Sequence, residues 1–420
     1  MNFFGLTQKA VFIRRPNRFV VVCKLHGKTL RAFLPNPGRL WELLLPGAVL
    51  YLEKSPWPGR KLPYTVVAIE REGRPVMAHT LRTNDFVEHL LRKGMVPGLE
   101  GTKIIKREIQ HGNSRFDFLL KRGEKETYLE VKSCTLFGKR VAMFPDAVTA
   151  RGKKHVEELA QLKGRGKSGA VVFLICWPKA SFFMPDYHTD LEFSKALLAV
   201  RDRVDFLPIG LELNPDLSFI PRVRPLEIPW DLLEREVEDR GSYILVLRLP
   251  AGRKLDIGKL GRIDFKAGYY LYAGSAQRNL TQRLERHKRE RKKLFWHIDY
   301  LRAHAEVHLA LPIRSSDPLE CELADALKKI SGWEVPGFGC SDCSCSSHLY
   351  GMGKDPIHMP EFISLLQYFR MDRLFGGGAI LVESSLRHEL PFDPPAGYIR
   401  DSFSQLPMND IHLYRDLDYP

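Results

Sequence analysis

Ser114-Arg115-Phe116-Asp117-Phe118-Leu119-Leu120 and Tyr128-Leu129-Glu130-Val131-Lys132-Ser133 are two apolar runs that each carry charge in the middle. A polar segment that contains a glycine, residues 121–126, separates them. Apolar runs of this length around such a turn predict a β-hairpin. Because side chains alternate between the faces of a strand, Glu130 and Lys132 should project together, with Leu129 and Val131 on the opposite face.

The hairpin should bring Asp117 on the first strand close to Glu130 and Lys132 on the second. Two neighbouring carboxylates repel each other unless a cation lies between them, and a hard cation such as Mg²⁺ prefers oxygen ligands. The ammonium of Lys132 would then orient a water molecule or an oxyanion. The same spacing also fits a surface hairpin with an ion pair, because a strand often carries charges on its solvated face.

The size and composition are those of a multidomain globular protein. The chain has 420 residues, of which 44% are hydrophobic and 27% charged, enough for two or three domains with their own cores. The N-terminus lacks the layout of a signal peptide, and no apolar run approaches ~20 residues, so no membrane span is predicted. Seven cysteines, an odd number, favour a reducing, cytoplasmic location.

Positive charge is concentrated at the start of the chain. Residues 1–83 contain 14 Lys and Arg against 4 Asp and Glu, a net charge of +10 out of the total of +14. Residues 84–230 carry +5, residues 231–354 carry +4, and residues 355–420 carry −5. A first domain this basic favours binding to a polyanion.

The first domain, residues 1–83, is predicted to be an OB-like β-barrel that binds nucleic acid. Strands are expected at residues 18–25, 29–34 and 48–53, with a short helix at residues 39–44. Small barrels of this type bind nucleic acid through basic strand faces and loops. The residues expected to contact phosphates are Arg14, Arg15, Arg18, Arg31 and Arg39. Their alternative role is to keep strand edges charged and soluble.

Several longer motifs occur in order over residues 1 to about 230. They are Phe12-Ile13-Arg14-Arg15-Pro16-Asn17-Arg18-Phe19, Pro35-Asn36-Pro37-Gly38-Arg39-Leu40, His79-Thr80-Leu81-Arg82-Thr83-Asn84, Asn113-Ser114-Arg115-Phe116-Asp117-Phe118-Leu119, Leu129-Glu130-Val131-Lys132-Ser133, and Phe144-Pro145-Asp146-Ala147-Val148-Thr149-Ala150-Arg151-Gly152-Lys153-Lys154-His155. Together they resemble the sugar fermentation stimulation protein A (SfsA) family. The resemblance implies an OB-like DNA-binding domain followed by a PD-(D/E)xK nuclease-like domain, whose signature is Asp117, Glu130 and Lys132. It also implies a link to sugar-utilisation genes.

The second domain, residues 84–229, is therefore expected to be an α/β nuclease core. A helix is predicted at residues 85–93 with Asn84 as its N-cap, and another at residues 149–162. Residues 170–177 are continuously apolar, which is typical of a buried central strand. Cations at a helix N-terminus oppose the helix dipole, so the basic start of the second helix favours a functional role. Arg151 and Lys154 are expected to hold a DNA phosphate there.

The third domain, residues 230–354, has two Tyr-bearing strands, predicted at 241–249 and 268–276, followed by a basic helix predicted at 280–294. This order resembles the GIY-YIG nuclease fold, in a branch usually described as uncharacterised. The resemblance implies that Tyr243, Tyr272 and Arg283 are catalytic, in an α+β domain. A phenol would deprotonate or orient water, Arg283 would neutralise the phosphate, and Glu320 would hold the metal, with Glu322 in reserve.

A cysteine-rich segment near the end of this domain offers metal ligands. Cys340, Cys343, Cys345 and His348 lie within nine residues and could bind Zn²⁺. Structural zinc usually joins two separated ligand pairs, so the alternative is a structured loop of reduced cysteines.

Residues 355–420 are predicted to form an acidic C-terminal extension that begins with an amphipathic helix over residues 356–374. Taken together, the sequence predicts a cytoplasmic DNA endonuclease that depends on Mg²⁺ or Mn²⁺, with metal ligands Asp117, Glu130 and Glu320. The alternative is a non-catalytic DNA-binding regulator of sugar metabolism. Both hypotheses predict affinity for DNA that falls steeply with salt.

Overall fold

The computed structural model describes residues 3–57, 59–163 and 166–376. Most of the predicted acidic extension, residues 377–420, lies outside the described residues. Within these described ranges, no helix has both the length and the apolar character that crossing a membrane requires.

The first domain is a β-barrel, as its charge and strand pattern predicted. Its strands are β1 Thr7–Asn17, β2 Val20–Leu25, β3 Lys28–Phe33, β4 Val49–Lys54, β5 Tyr64–Arg71 and β6 Arg74–Met77. They are ordered β3-β2-β1-β4-β5-β6, and a further pairing of β3 with β5 closes the first five strands on themselves. This closure confirms the OB-like barrel. It also removes the open sheet edges that β1 to β5 would otherwise present.

The predicted short helix at residues 39–44 is not formed. Residues 41–43 are a turn, and Leu40 before them has a left-handed φ of 55°, which an α-helix does not accommodate. The amide of Leu40 donates instead to the Asp146 carboxylate of the second domain at 2.7 Å. This tertiary contact, invisible in local sequence, fixes the segment as a loop between domains.

The second domain is an α/β layer structure around a six-stranded sheet. Its elements are α1 Thr83–Arg92, β7 Lys103–His111, β8 Ser114–Arg122, β9 Lys125–Cys134, β10 Leu136–Phe137, β11 Val141–Phe144, α2 Ala150–Gln161, β12 Lys167–Ile175, β13 Phe182–Pro185, α3 Leu191–Ala199, β14 Val204–Gly210 and β15 Arg224–Pro225. The large sheet has the order β15-β14-β12-β9-β8-β7, and β10, β11 and β13 form a small second sheet.

The hairpin predicted from the two charged apolar runs is confirmed. Strands β8 and β9 pair antiparallel, with Phe118 opposite Leu129, and β12 pairs parallel with β9 so that Val171 lies beside Glu130. Strand β12 is buried along nearly its whole length, as its uninterrupted apolar sequence predicted. The hairpin is therefore held at the centre of the sheet.

The third domain is an α+β structure with a five-stranded sheet. Its elements are α4 Trp230–Glu236, β16 Gly241–Leu249, β17 Arg253–Asp256, β18 Arg262–Phe265, β19 Gly268–Ala276, α5 Leu280–Lys288, α6 His297–Arg302, β20 Glu306–Arg314, α7 Glu320–Ile330, β21 Trp333–Glu334, β22 Leu349–Met352 and α8 Pro360–Arg370. The sheet has the order β20-β16-β19-β22-β21, and β17 and β18 form a separate hairpin. Strands β16 and β19 have the bounds predicted from the sequence.

Two helices of this domain differ from prediction. Helix α5 ends at Lys288, because Arg289 is extended and Lys292 turns back to pair with the buried Asp299 at 2.8 Å. The single helix predicted over residues 356–374 is broken, with α8 starting at Pro360 and ending at Arg370. Helix α8 buries Phe362 and Phe369 in the same core as the central strands of the five-stranded sheet in the third domain. The predicted domain boundary at residue 354 stays a prediction.

His188 connects the second domain to the third. It is fully buried, its Nδ1 accepts from the amide of Arg314 on β20 at 2.9 Å, and its Nε2 lies 2.8 Å from the carbonyl of Arg370, the last residue of α8. An amide can only donate, so Nδ1 carries the lone pair and Nε2 carries the proton. Burial, together with the nearby Arg370, Arg314 and Arg373, lowers the pKa of His188 well below its usual value.

The substitution His188→Ala tests this joint. It leaves the Arg314 amide and the Arg370 carbonyl without partners in the interior, so the free energy of unfolding should fall by about 2–4 kcal/mol. The unfolded histidine binds a proton near pH 6.5 whereas the folded one stays neutral, so the stabilisation is present above that pH and lost as pH falls toward 5. Urea denaturation at pH 7 and pH 5 measures both effects.

His304→Ala is the matched control for this measurement, because His304 is exposed. Its effect should stay within about 0.5 kcal/mol of the wild type. If the two variants were equally stable at both pH values, His188 would not join the domains.

Candidate active sites

The central strands of the second domain bring Asp117, Glu130 and Lys132 together, as the hairpin predicted. Asp117 on β8 accepts at its Oδ2 from the amide of Val131 on β9, at 2.7 Å. Lys132 donates from its Nζ to the Oε1 of Glu130. Glu130 is only 4% exposed. Among the described residues its second oxygen, Oε2, is buried without a hydrogen-bond partner. This arrangement is not the solvated surface hairpin of the alternative interpretation.

Asn84 has a role that the sequence did not reveal. It was predicted as the N-cap of the first helix, but α1 begins at Thr83, two residues before the predicted start, and Arg82 occupies the cap position. The Asn84 side chain instead donates to the Oδ1 of Asp117 at 2.8 Å. Both oxygens of Asp117 are thereby fixed, one by α1 and one by β9.

His155 on helix α2 is a further member of this site. Thr149 caps the helix by accepting from the amide of Gly152, and the helix then directs His155 toward the sheet. His155 Nδ1 lies 2.7 Å from the Oε1 of Glu130, and its Nε2 accepts from the Nε of Arg151 at 3.3 Å. A proton therefore resides on Nδ1 and is donated to Glu130.

Sequence reasoning had placed His155 in a basic cluster without assigning it a contact. A signal was present in the helical period, because Gly152, His155, Val156 and Leu159 fall on one face and all are buried. A histidine on an otherwise apolar helix face needs a buried polar partner. The identity of that partner depended on how α2 packs on the sheet.

The two carboxyl groups of the site have unequal acidity. Burial, together with the Glu130 carboxylate, raises the pKa of Asp117 to about 6. Burial also acts to raise the pKa of Glu130, but hydrogen bonds from His155 and Lys132 outweigh it and hold that pKa below its usual value. A cation bound between them would compensate the repulsion that adds to burial in raising the pKa of Asp117.

A cleft of about 370 Å³ runs between the barrel and the second domain beside these residues. The second domain contributes Lys132, Asn84 and Val148, and the barrel contributes Arg18 and the loop at residues 36–38. Asp117 and Glu130 lie behind the Asn84 and Lys132 wall, through the contacts given above. The two residues that contact these carboxylates, Asn84 and Lys132, therefore face the cleft where the two domains meet.

The predicted DNA-binding residues fall into two groups. Arg14, Arg18 and Arg31 are exposed on the barrel, and Arg18 lines the cleft. On helix α2, Arg151 and Lys154 are exposed as well, with Lys154 donating to the Asn113 carbonyl at 2.9 Å.

Arg15 and Arg39 are instead engaged inside the protein. The guanidinium of Arg15 donates to the carbonyl groups of residues 18, 36, 38 and 39, and its burial lowers the pKa of Arg15 to about 10. Arg39 pairs with Asp146 at 3.2 Å and donates to Thr189 at 2.7 Å. Both arginines hold the interdomain loop in place, so the phosphate contacts predicted for them are not supported by this geometry.

In the third domain, all four predicted residues line one cleft of about 410 Å³. Tyr243 comes from β16, Tyr272 from β19, Arg283 from α5 and Glu320 from the first turn of α7. Their convergence follows from the antiparallel pairing of β16 with β19, which sets the two tyrosine rings 6.2 Å apart. Arg283 lies 4.2 Å over the ring of Trp296. Glu322, the reserve ligand, is exposed and does not line this cleft.

His287 extends this second site in a way the sequence did not reveal. The phenol oxygen of Tyr243 lies 2.8 Å from His287 Nε2, and Nδ1 of the same ring lies 3.9 Å from Asp299. Burial, together with the nearby Lys292, lowers the pKa of His287 to about 3, so the ring is neutral at pH 7. Burial raises the pKa of Tyr243 well above its usual value, although Arg283 opposes the shift. The neutral imidazole can accept a hydrogen bond from the phenol, which fixes the orientation of Tyr243 in the cleft.

Glu320 is held by hydrogen bonds on both oxygens. Ser275 donates to its Oε2, and His348 Nδ1 lies 3.2 Å from its Oε1. Burial acts to raise the pKa of Glu320, but these two contacts outweigh it and lower that pKa. Glu320 is therefore an ionised carboxylate at the cleft wall.

A cluster of soft ligands lies behind Glu320. One ligand atom from each of Cys321, Cys343, Cys345 and His348 lies within 4.8 Å of the other three. The sequence predicts a ligand set with Cys340 in place of Cys321. The structure corrects this one ligand and keeps the other three. Helix α7 carries Cys321 next to Glu320, and its packing against the loop brings a distant cysteine into the set.

Three families match successive parts of the chain. Residues 13–78 match the SfsA N-terminal OB domain, residues 81–217 match the sugar fermentation stimulation protein RE domain, and residues 242–370 match a domain of unknown function, DUF123. The fold is thus an OB barrel, a nuclease-like α/β domain and a further α+β domain.

Relatives and a solved structure agree with this division. A sugar fermentation stimulation protein homolog of Methanothermobacter thermautotrophicus is 36% identical, over 52% of this chain and 92% of the relative. A homolog of Clostridium tetani is 39% identical, over 50% of this chain and 92% of the relative. The structure of Pyrococcus furiosus SfsA in complex with Ca²⁺ is 32% identical, with a TM-score of 0.50, over 54% of this chain and 97% of that chain. The chain belongs to the sugar fermentation stimulation protein family and continues into the DUF123 region.

Gly274 tests the second site, because it pairs directly with Tyr243 across the sheet and a Cβ there would overlap the phenol ring. The substitution Gly274→Ala should push the ring away from His287 and lower the free energy of unfolding by about 1–3 kcal/mol. Gly353→Ala is the control, since a Cβ at Gly353 meets open space. Urea denaturation compares the two variants, and equal stability would mean that Tyr243 is not tightly packed.

Proposed function

We propose that this protein binds double-stranded DNA and hydrolyses phosphodiester bonds with a divalent cation held by Asp117 and Glu130. The observation that carries the proposal is the convergence of the buried Glu130 and the half-buried Asp117 with Lys132 beside an interdomain cleft. Two adjacent acids and a lysine on paired strands form a set that can bind a metal and position a nucleophile.

The donor set fits Mg²⁺ or Mn²⁺. The available ligand atoms are carboxylate oxygens, which hard cations prefer, and Glu130 Oε2 is buried without a partner. The P. furiosus relative was solved with Ca²⁺, another hard cation, which supports a cation site in this family. When bound, the cation would activate water and stabilise the developing charge on the phosphate.

The surrounding residues would keep this site in a reactive arrangement. Asn84 and the Val131 amide fix Asp117, and His155 fixes Glu130 through a hydrogen bond of 2.7 Å. Lys132 is close enough to Glu130 to orient a water molecule toward a phosphate in the cleft. Because these carboxylates are already held in place, less conformational entropy is lost when they bind a cation.

The surface that leads to this site suits DNA. Arg14, Arg18 and Arg31 on the barrel are exposed, as are Arg151 and Lys154 near the candidate site. Residues 1–83 carry a net charge of +10. Binding that relies on such contacts releases counterions, so DNA affinity should fall steeply as salt is added.

The third domain would supply a second phosphodiesterase site of the GIY-YIG type. Tyr243 would orient the attacking water, and the neutral His287 would fix the phenol by accepting a hydrogen bond from it over the observed 2.8 Å. Arg283 would neutralise the scissile phosphate in the cleft that it lines with Glu320, the metal ligand. The convergence of all four predicted residues in one cleft supports this second site.

Supercoiled plasmid incubated with Mg²⁺ or Mn²⁺ tests both sites. The wild-type protein should nick or linearise the plasmid. Lys132→Ala should lower the cutting rate of the site in the second domain about 100-fold or more, and Arg283→Ala should do the same for the site in the third domain. Lys125→Ala, on the exposed end of the same strand as Lys132, and Lys288→Ala, on the same helix as Arg283, are the matched controls.

The outcome assigns the activity. If only one of the two variants loses plasmid cutting, the site that carries that residue is the active one. If both variants lose part of the cutting, both sites are active. If the wild-type protein left the plasmid intact but still bound DNA in a salt-sensitive way, the proposal that it is a nuclease would be contradicted. That result would leave the non-catalytic DNA-binding regulator of sugar metabolism as the function.

A further inference from the structure

Three cysteines and a histidine from separate parts of the third domain meet at one point. Cys321 lies on α7, Cys343 and Cys345 lie in the irregular segment before β22, and His348 directly precedes that strand. Their ligand atoms are all within 4.8 Å of one another, and His348 Nε2 lies 3.4 Å from Cys343 Sγ. Tetrahedral zinc with ordinary bond lengths separates its ligands by about 3.3–3.8 Å, so small adjustments would complete the geometry.

We propose that Cys321, Cys343, Cys345 and His348 bind one Zn²⁺ and that this ion fixes Glu320 at the cleft of the third domain. The first half concerns a metal site alone. The second half rests on the proposed function, because it assigns Glu320 a role in that cleft.

The ligand chemistry selects zinc over the hard cations of the other sites. Three thiolates and an imidazole are soft and borderline ligands, which bind Zn²⁺ in closed tetrahedral sites. A single disulfide would use two of the three cysteines and leave the third thiol and the histidine unused. All three cysteines are free thiols in the structure.

The ligands come from two separated parts of the chain, as one plus three rather than as the two pairs usual for structural zinc. Cys321 belongs to a helix, whereas the other three ligands follow it by more than twenty residues. The segment between β21 and β22 has no regular secondary structure over residues 335–348. An ion that binds it to α7 would order a loop that otherwise depends on a few turns.

His348 links this site to Glu320. Its Nε2 faces the cysteine cluster, and its Nδ1 lies 3.2 Å from Glu320 Oε1. A histidine that binds metal through Nε2 commonly donates its Nδ1 proton to a carboxylate, which fixes both groups. Glu320 is also the residue before Cys321, so the metal would hold it from two directions.

The loop held by the ion contributes to the same cleft. Gly339, Ser341 and Asp342 line it together with the two tyrosines, and the Gly339 amide donates to His297 Nδ1 at 3.3 Å. Loss of the ion should therefore loosen one wall of the cleft as well as Glu320.

The metal content of the purified, tag-free full chain tests the site directly. Elemental analysis should find about one zinc per wild-type chain. Cys321→Ser should lose most of it, whereas Cys340→Ser should keep it, because Cys340 lies in the same loop but outside the cluster. Equal zinc in the two variants, or zinc lost only from Cys340→Ser, would overturn the proposal.

Cobalt provides a readout that does not depend on whether the cysteine variants fold. Reduced wild-type protein freed of metal and given Co²⁺ should show the intense absorption of a tetrahedral thiolate complex, and Zn²⁺ should displace it. Absence of both the native zinc and this absorption would overturn the proposal whatever the variants do.

The role of Glu320 has its own test. Glu320→Gln keeps all four ligands but weakens the hydrogen bond to His348, so zinc affinity measured by competition with a chelator should fall about 10–100-fold. Glu322→Gln, on the exposed side of the same helix, is the control and should not change it. Equal affinities would overturn the link between the ion and Glu320.

These measurements separate the two proposals. Zinc that is present in a protein without nuclease activity would leave the metal site standing and refute the proposed function. DNA cleavage by a protein that binds neither zinc nor cobalt would refute the zinc site and leave the proposed function unaffected.

Discussion

Two carboxylates that lie side by side, one buried and one half-buried, impose the strongest constraint on this molecule. Asp117 and Glu130 lie on adjacent central strands, where their charges can persist only if positive or hydrogen-donating groups surround them. The second domain supplies these groups from three different elements: Asn84 on α1, Lys132 on β9 and His155 on α2. The packing of both helices on the sheet is thus tied to the same site, and a shift of either helix would leave a buried charge without compensation.

The basic residues of the first domain are divided between holding the fold and facing solvent. Arg15 and Arg39 order the loop between barrel and second domain, where Arg39 meets the buried Asp146. Arg18 remains exposed at the mouth of the cleft that this loop creates. The position of the cleft follows from these interdomain ion pairs, so the same contacts that stabilise the joint also determine what can approach the carboxylates.

The sequence predicted the elements whose pattern is local. The hairpin followed from two apolar runs around a polar turn, and β16 and β19 followed from continuous apolar sequence with tyrosines. The barrel followed from strand pattern and basic charge.

Residues whose role depends on packing were missed: His155 and His287 were read as parts of basic helices, and Cys321 was separated from its loop partners by more than twenty residues. The helix predicted at residues 39–44 failed because Asp146, distant in sequence, binds its backbone. The early end of α5 has the same kind of cause, since Asp299 draws Lys292 away from a helical path.

The central claim is that the carboxylate pair of the second domain binds a divalent cation. Isothermal titration of Mn²⁺ into the full chain, preloaded with zinc, measures this directly. The number of Mn²⁺ ions bound should fall by one in Asp117→Asn relative to the wild type, and should be unchanged in Glu124→Gln, where the altered side chain is 99% exposed at the hairpin turn. An Asp117→Asn protein that binds Mn²⁺ with the stoichiometry and affinity of the Glu124→Gln control would contradict the account.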